Sequence, residues 1–335
     1  MKKIQFAKDV LPGVLLCAAI AAISYGAEWL EVHLTGQRFI DALVFAILLG
    51  TAYHSIAGLH PRFHRGVHFS AKTLLELAIV FLGASLSLSV ITGMGGLLVA
   101  VVAGVVVVAI LVSYAIGRSL GLHRQLALLV ACGNSICGNS AIVAAAPVIE
   151  AESDDVAASI AFTAALGIAV VLLLPLGARM FDIGQHSYGI LAGMTVYAVP
   201  QVLAATVPVG AISVQLGTVV KLMRVLMLGP VILVLGLSSG TRTTGSLKIR
   251  HLVPWFIVGF FAMMLLRTAN LLPQWTVAPM REVATLLTIL SMAALGLAVD
   301  IRSVFASGGR VLAAGCLSIL ALTAISGSLI YFLAL

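Results

Sequence analysis

Cys132-Gly133-Asn134-Ser135-Ile136-Cys137-Gly138-Asn139-Ser140-Ala141 is a tandem five-residue repeat inside an apolar run. Five residues turn a helix by about 500°, so the two copies stand about 140° apart and their Asn-Ser pairs cannot share one face of a regular helix. Glycine is costly in a helix interior, and Asn and Ser compete for backbone hydrogen bonds. The segment is expected to unwind, which at membrane depth is tolerated only against protein or a watery cavity. A helix restarting at about Ser140 and running to Pro147 would aim its N–H groups into that cavity, an arrangement that suits an anion. The competing explanation is that these small residues only let helices pack closely.

The setting of this repeat is lipid. The chain has 335 residues, of which 61% are hydrophobic and 9% charged, with a mean hydropathy of +1.16, more apolar surface than one water-soluble core can bury. Apolar runs near the length that crosses a bilayer recur throughout, and the short alternating segments of a membrane barrel do not. The reading is an all-α polytopic membrane protein of about eleven transmembrane helices. The first six spans are expected near Val10 to Tyr25, Phe39 to Gly58, Leu74 to Ile91, Gly95 to Gly117, Gln125 to Ile149 and Val156 to Met180. The other five are expected near Ser187 to Ala205, Val214 to Leu237, Leu252 to Thr268, Val283 to Val299 and Val311 to Leu333. The basic start followed by an apolar run to Ala27 also fits a signal peptide, but its near-spanning length favours a retained first helix.

Lys and Arg gather in alternate loops. Lys2, Lys3, Lys8, Arg62, Arg65, Lys72, Arg118, Arg124, Arg179, Arg242, Lys248, Arg250, Arg302 and Arg310 fall on the side of the amino terminus, and only Arg38, Arg267 and Arg281 on the other. That bias makes the first side cytoplasmic, with the carboxyl terminus periplasmic in a bacterial cell inner membrane. It also accounts for the net charge of +7 without nucleic acid. Setting residues 1–36 aside as an extra amino-terminal helix leaves two sets of five spans, 37–182 and 183–335. An odd number per set inverts the second, the plan of many secondary transporters with discontinuous crossing helices. The fifth and tenth spans are the expected crossing pair.

Lys221 and Arg224 lie three residues apart on one face of the eighth span, with no acidic residue in that span to pair with them. A distant carboxylate or a bound anion must compensate them, unless they snorkel to an interface. Pro200 disturbs the seventh span beside Gln201, a site neighbour or simply an interhelical hydrogen bond at a kink. Ser291 to Leu297 supplies small residues and no charge. His60, His64 and His68 repeat at a metal-ligand spacing, although Pro61, Arg62 and Arg65 favour a solvated basic loop. Cys17, Cys132, Cys137 and Cys316 lie in apolar runs and read as small hydrophobes. No phosphate-cradling loop and no catalytic triad are evident, so neither an enzyme nor a cofactor is expected.

Four segments, Gly133 to Ile142, Val199 to Ala205, Val220 to Leu226 and Met292 to Leu297, together resemble the bacterial YeiH family, whose members are labelled sulfate exporters. The resemblance spans the chain and implies the cation-proton antiporter and bile-acid symporter-like folds, in which a core with crossed broken helices moves against a panel. The expectation is a secondary-active, alternating-access transporter or exporter of a small anion, with sulfate or a related sulfur oxyanion or sulfonate first. Its expected binding residues are Gly133, Asn134, Ser135, Gly138, Asn139, Ser140, Gln201, Lys221 and Arg224. A cation-proton antiporter is the alternative, weakened by the lack of a central Asp. A membrane enzyme or receptor is a further one. A coupling proton or sodium ion and a homodimer stay open.

Overall fold

The computed structural model describes residues 2–35, 41–85, 95–238, 255–300, 302 and 309–333. Its first helices are α1 (Lys2–Thr35), α2 (Ala42–Ala57), α3 (Pro61–Phe69), α4 (Leu75–Gly83), α5 (Gly95–Ser119), α6 (Arg124–Cys132), α7 (Asn139–Ala145) and α8 (Ser153–Met180). They are followed by α9 (Gln185–Thr195), α10 (Val199–Thr206), α11 (Ala211–Leu226), α12 (Leu228–Ser238), α13 (Trp255–Thr268), α14 (Gln274–Leu297) and α15 (Gly309–Leu333). Among the described residues there is no strand. Among the described residues, seven helical stretches are long and apolar enough to cross a membrane, and Ala42–Ala57 and Trp255–Thr268 are shorter apolar helices. Arg38, Arg242, Lys248, Arg250 and the expected end of the third span at Ile91 lie outside the described residues.

The chain divides into two compact units, Met1–Ser89 with Trp255–Ile301, and Val90–Pro254 with Arg302–Leu335. Glycine contacts hold the first unit together. A Cβ on Gly13 of α1 would lie 2.3 Å from the Phe63 carbonyl oxygen, and one on Gly66 of α3 would lie 2.1 Å from that of Val10. The two backbones therefore touch, as small residues permit in helix packing within a membrane. α1 runs unbroken through Tyr25 to Ala27, with Cys17, Ile20, Ala21 and Ser24 buried, so the first helix is part of the packed unit. The histidine segment is helical rather than a loop: His60 caps α3 by accepting from the Arg62 N–H at 3.3 Å, and α3 passes through a π-helical turn (Ser70–Leu74) into α4. This helix begins at Pro61, well before the Leu74 expected from hydropathy.

The expected break in the tenth span does not occur, because α14 continues through Ser291–Leu297. Its small residues serve contact instead. A Cβ on Gly296 would sit 2.3 Å from the Ile47 carbonyl oxygen, and one on Gly50 of α2 would sit 2.5 Å from that of Ala293. The fifth and tenth spans are thus not a pair of broken helices.

The second unit contains α5, α6 to α12, and α15, and two of its segments depart from the hydropathy reading. In the fifth, a Cβ on Gly133 would lie 3.0 Å from Cδ1 of Ile142, whereas nine residues of continuous helix would separate the two by about 13 Å. The chain has turned back. His123, just before α6, meets Asp155, at the start of α8, at 2.6 Å, so both ends of the segment lie together. In the seventh, the Tyr188 hydroxyl donates to the Ala205 carbonyl at 2.8 Å, and the Ser213 hydroxyl donates to that of Gln185 at 2.7 Å. Gly189 abuts Ser213 and Gly193 abuts Gly217 and Val220, so α9 and α11 run parallel and α10 must be the return stroke. Both segments are helical hairpins that enter and leave on one side, and neither is a span. Hydropathy cannot separate them from spans, because about twenty apolar residues read alike whether they cross once or go halfway and return.

Candidate functional site

Each hairpin has a tip with a local cause. α6 loosens into a π-helical turn at Gly133–Cys137 and ends at Gly138, whose φ of +68° and ψ of −130° suit a residue without a Cβ. The second hairpin breaks at Val196–Ala198, and α10 restarts with Pro200 in its first turn, where the missing N–H costs nothing. The Gln201 side chain caps that restart, accepting from the Ala198 N–H at 3.2 Å. The tips meet: a Cβ on Gly138 would be 3.2 Å from that of Tyr197 and 3.4 Å from Cγ2 of Thr163 on α8. The Tyr197 hydroxyl donates to Asn134 Oδ1, and Asn134 Nδ2 donates to the Gly315 carbonyl of α15 at 3.5 Å.

Lys221 and Arg224 of α11 reach the same place. They are 0% and 1% exposed, which overturns snorkelling. Arg224 binds four carbonyls across both hairpins: Nε donates to Ser135 at 3.3 Å, Nη2 to Asn134 at 3.1 Å, and Nη1 to Gly193 at 3.0 Å and Val196 at 3.3 Å. Lys221 Nζ donates to the Ile136 carbonyl at 2.6 Å. These are the orphan carbonyls of α6 with its π turn and of α9, the negative ends of both helices. The compensation expected from a carboxylate or an anion is thus supplied partly by backbone. No carboxylate replaces it, since neither the π turn nor α5, α9, α10 or α12, the elements packed against α11, contains Asp or Glu.

The predicted residues separate along the repeat. Gly133, Asn134, Ser135 and Gly138 are buried at the tip, together with Lys221 and Arg224, while Asn139 and Ser140 are exposed. The five-residue offset thus places the second Asn-Ser pair away from the first. Gln201 is buried beside the tip, packed on α8 where a Cβ at Gly167 would lie 2.4 Å from its Nε2. The Ser135 hydroxyl is buried with no hydrogen-bond partner. Tyr197, Thr163 and Gly315 join the tip unforeseen. The Pro200 break three residues on was a usable signal for Tyr197, whereas Thr163 and Gly315 come close only through tertiary packing. Cys132 and Cys137 are buried free thiols, and no cluster of metal-ligating side chains occurs among the described residues.

This is a polytopic membrane protein with two helical hairpins meeting over buried cations. Residues 12–315 match the family model described as conserved hypothetical protein 698. A UPF0324 membrane protein of Brucella melitensis biotype 1 is 56% identical over 99% of this chain and 94% of its own length. Another from Agrobacterium fabrum is 51% identical over 98% and 94% of the two chains, and one from Bacillus cereus is 33% identical over 96% and 94%. The chain belongs to this UPF0324 family, which includes YeiH. No solved structure matches it.

Proposed function

We propose that the protein is a secondary-active transporter of a small oxyanion in the bacterial inner membrane, with the hairpin tips as its binding site. One observation carries the reading: two hairpin tips converge on Arg224 and Lys221, and the elements packed against those cations bring no carboxylate. Arg224 and Lys221 already meet the carbonyl ends of the tip helices, so the tip keeps excess positive charge, enclosed where it acts through a low dielectric. An oxyanion complements such a site, and a guanidinium is the side chain best shaped to hold one. Sulfate, sulfite or a small sulfonate is the first candidate on the family resemblance. The antiporter alternative needs a buried carboxylate to carry the cation, and the tip provides none.

The hairpin geometry also revises the expected topology without spoiling its charge bias. Nine crossings among the described residues, the seven long apolar helices and the two shorter ones, with an amino terminus in the cytoplasm bring the first hairpin in from the cytoplasm and the second from the periplasm. The connection containing Arg179, Asp182 and His186 and the acidic loop containing Glu150, Glu152, Asp154 and Asp155 change sides, and Arg179 is the one Lys or Arg among them, so the asymmetry persists. Opposed hairpins meeting near mid-membrane give each side its own gate, as alternating access requires. Whether the two sets of five segments are inverted copies belongs to the same proposal.

The test is uptake of labelled sulfate, sulfite and small sulfonates into proteoliposomes, comparing the parent chain with Asn134→Ala and Ser135→Ala. Ser135→Ala removes a hydroxyl that supports nothing in the fold, so a lower affinity with unchanged folding supports the anion site. Absence of saturable anion flux, with proton-driven sodium or potassium movement instead, overturns the reading.

A further inference from the structure

Lys221 and Arg224 sit one turn apart and both reach the first hairpin tip, yet their hydrogen bonding differs. Arg224 touches both hairpins through four carbonyls, two on the first and two on the second. Lys221 touches one carbonyl, that of Ile136 in the first hairpin. An ammonium has three donors, so two are unspent, and the hydroxyl of Ser135, the residue before Ile136 in the same tip, is buried and also lacks a partner. The guanidinium is planar, fixed in its fork and permanently charged. The ammonium rides on a flexible stem, with three rotatable donors and a proton that it is able to release. The groups whose charge acts on Lys221 are Arg224 on its own helix and the Cys137 thiol of the first hairpin. From the second hairpin, Tyr197 reaches Asn134 beside them. α5 brings only Tyr114 and Arg118 as titratable side chains, and α12 brings none.

We infer that the two cations divide the work: Arg224 is a fixed pin joining the hairpin tips, and Lys221 is the mobile charge that meets the anion and carries its coupling proton. This rests on the oxyanion reading above and adds the coupling ion and its carrier. With the ammonium protonated, its two unspent N–H groups and the Ser135 O–H receive the anion. When the anion leaves, one proton passes from Nζ to water on the receiving side, leaving a neutral amine and, at the tip, only the Arg224 charge on its four carbonyls. Anion and proton therefore move together, one proton on Lys221 for each cycle, and no oxidant or further reactant is needed. Arg224 keeps its proton and its four carbonyls throughout, so the hairpins stay registered while Lys221 changes state.

The experiment reconstitutes the full chain in vesicles holding a pH-sensitive dye, with labelled sulfate, sulfite and a small sulfonate as probes. In the parent protein, anion movement is expected to be accompanied by proton movement and driven by an imposed pH gradient. Lys221→Arg keeps the positive charge and cannot release the proton, so the ratio of pH-driven flux to anion-for-anion exchange in that variant should fall by roughly thirtyfold or more, the scale on which a buried charge partner acts. Lys221→Met, which replaces a buried charge with an apolar chain of similar length and is expected to fold, should lose both activities. PH-driven flux surviving in Lys221→Arg or in Lys221→Met overturns the assignment while the oxyanion reading stands. Anion flux in the parent without proton movement overturns it in the same way. No flux of any of these anions in the parent overturns both.

Discussion

Gly133–Ser140 and Ser291–Leu297 are both runs of small residues in apolar helices, yet the first breaks and turns back while the second stays straight. The first run contains two amide side chains and a glycine at a backbone conformation that other residues avoid. It also has cations on a neighbouring helix to satisfy the carbonyls its unwinding frees. The second has neither an amide side chain nor a glycine in such a conformation. Its Gly296 instead allows the α14 backbone to rest on that of α2, and a regular helix needs no outside partner for its carbonyls. Small residues thus permit either outcome, and the supply of partners for freed backbone groups decides which one occurs.

The sharpest way to break this comparison is to remove the partner. Arg224→Met leaves four buried carbonyls without their donor and is expected to destabilise the protein by about 3–5 kcal/mol, read as lower thermal stability in detergent. An Arg224→Met protein as stable as the parent would mean that the tips hold without the pin. Gly296→Val comes next, because its Cβ would stand 2.3 Å from a backbone oxygen. Overpacking there is expected to cost about 1–3 kcal/mol, with anion affinity unchanged in the surviving folded fraction. Gly138→Ala should cost about 1–2 kcal/mol from its strained φ alone, but here flux should fall with stability, since the strain lies at the tip. The smallest effect belongs to Tyr197→Phe, which loses the hydrogen bond to Asn134 and should cost about 1 kcal/mol in unfolding measurements.

The sequence made the lipid setting, the break at the repeat and the unpaired charge of Lys221 and Arg224 within their helix legible, because each is local: hydropathy, glycine with amides, and charge without an acid. The turn-back at the two tips was not legible, since Gly133 meeting Ile142 and Tyr188 meeting Ala205 are tertiary contacts within segments of nearly spanning length. The charge count gave no warning either. Converting two spans to hairpins on opposite sides restores the alternation of every later loop, so Arg179 is the one Lys or Arg that changes sides. Arg224's bridging of both tips was equally hidden, because its partners are backbone carbonyls, which no residue type announces.

Cysteine accessibility in intact cells reads from which side each of the opposed hairpins enters the membrane. In a chain with Cys17, Cys132, Cys137 and Cys316 replaced, Ser119→Cys and Glu152→Cys flank the first hairpin, and His186→Cys and Ile212→Cys flank the second. A membrane-impermeant maleimide is predicted to label the second pair from outside and to reach the first pair only after the membrane is opened. Labelling that splits either pair, with Ser119→Cys and Glu152→Cys or His186→Cys and Ile212→Cys on opposite sides, would contradict the hairpins and return those segments to spans.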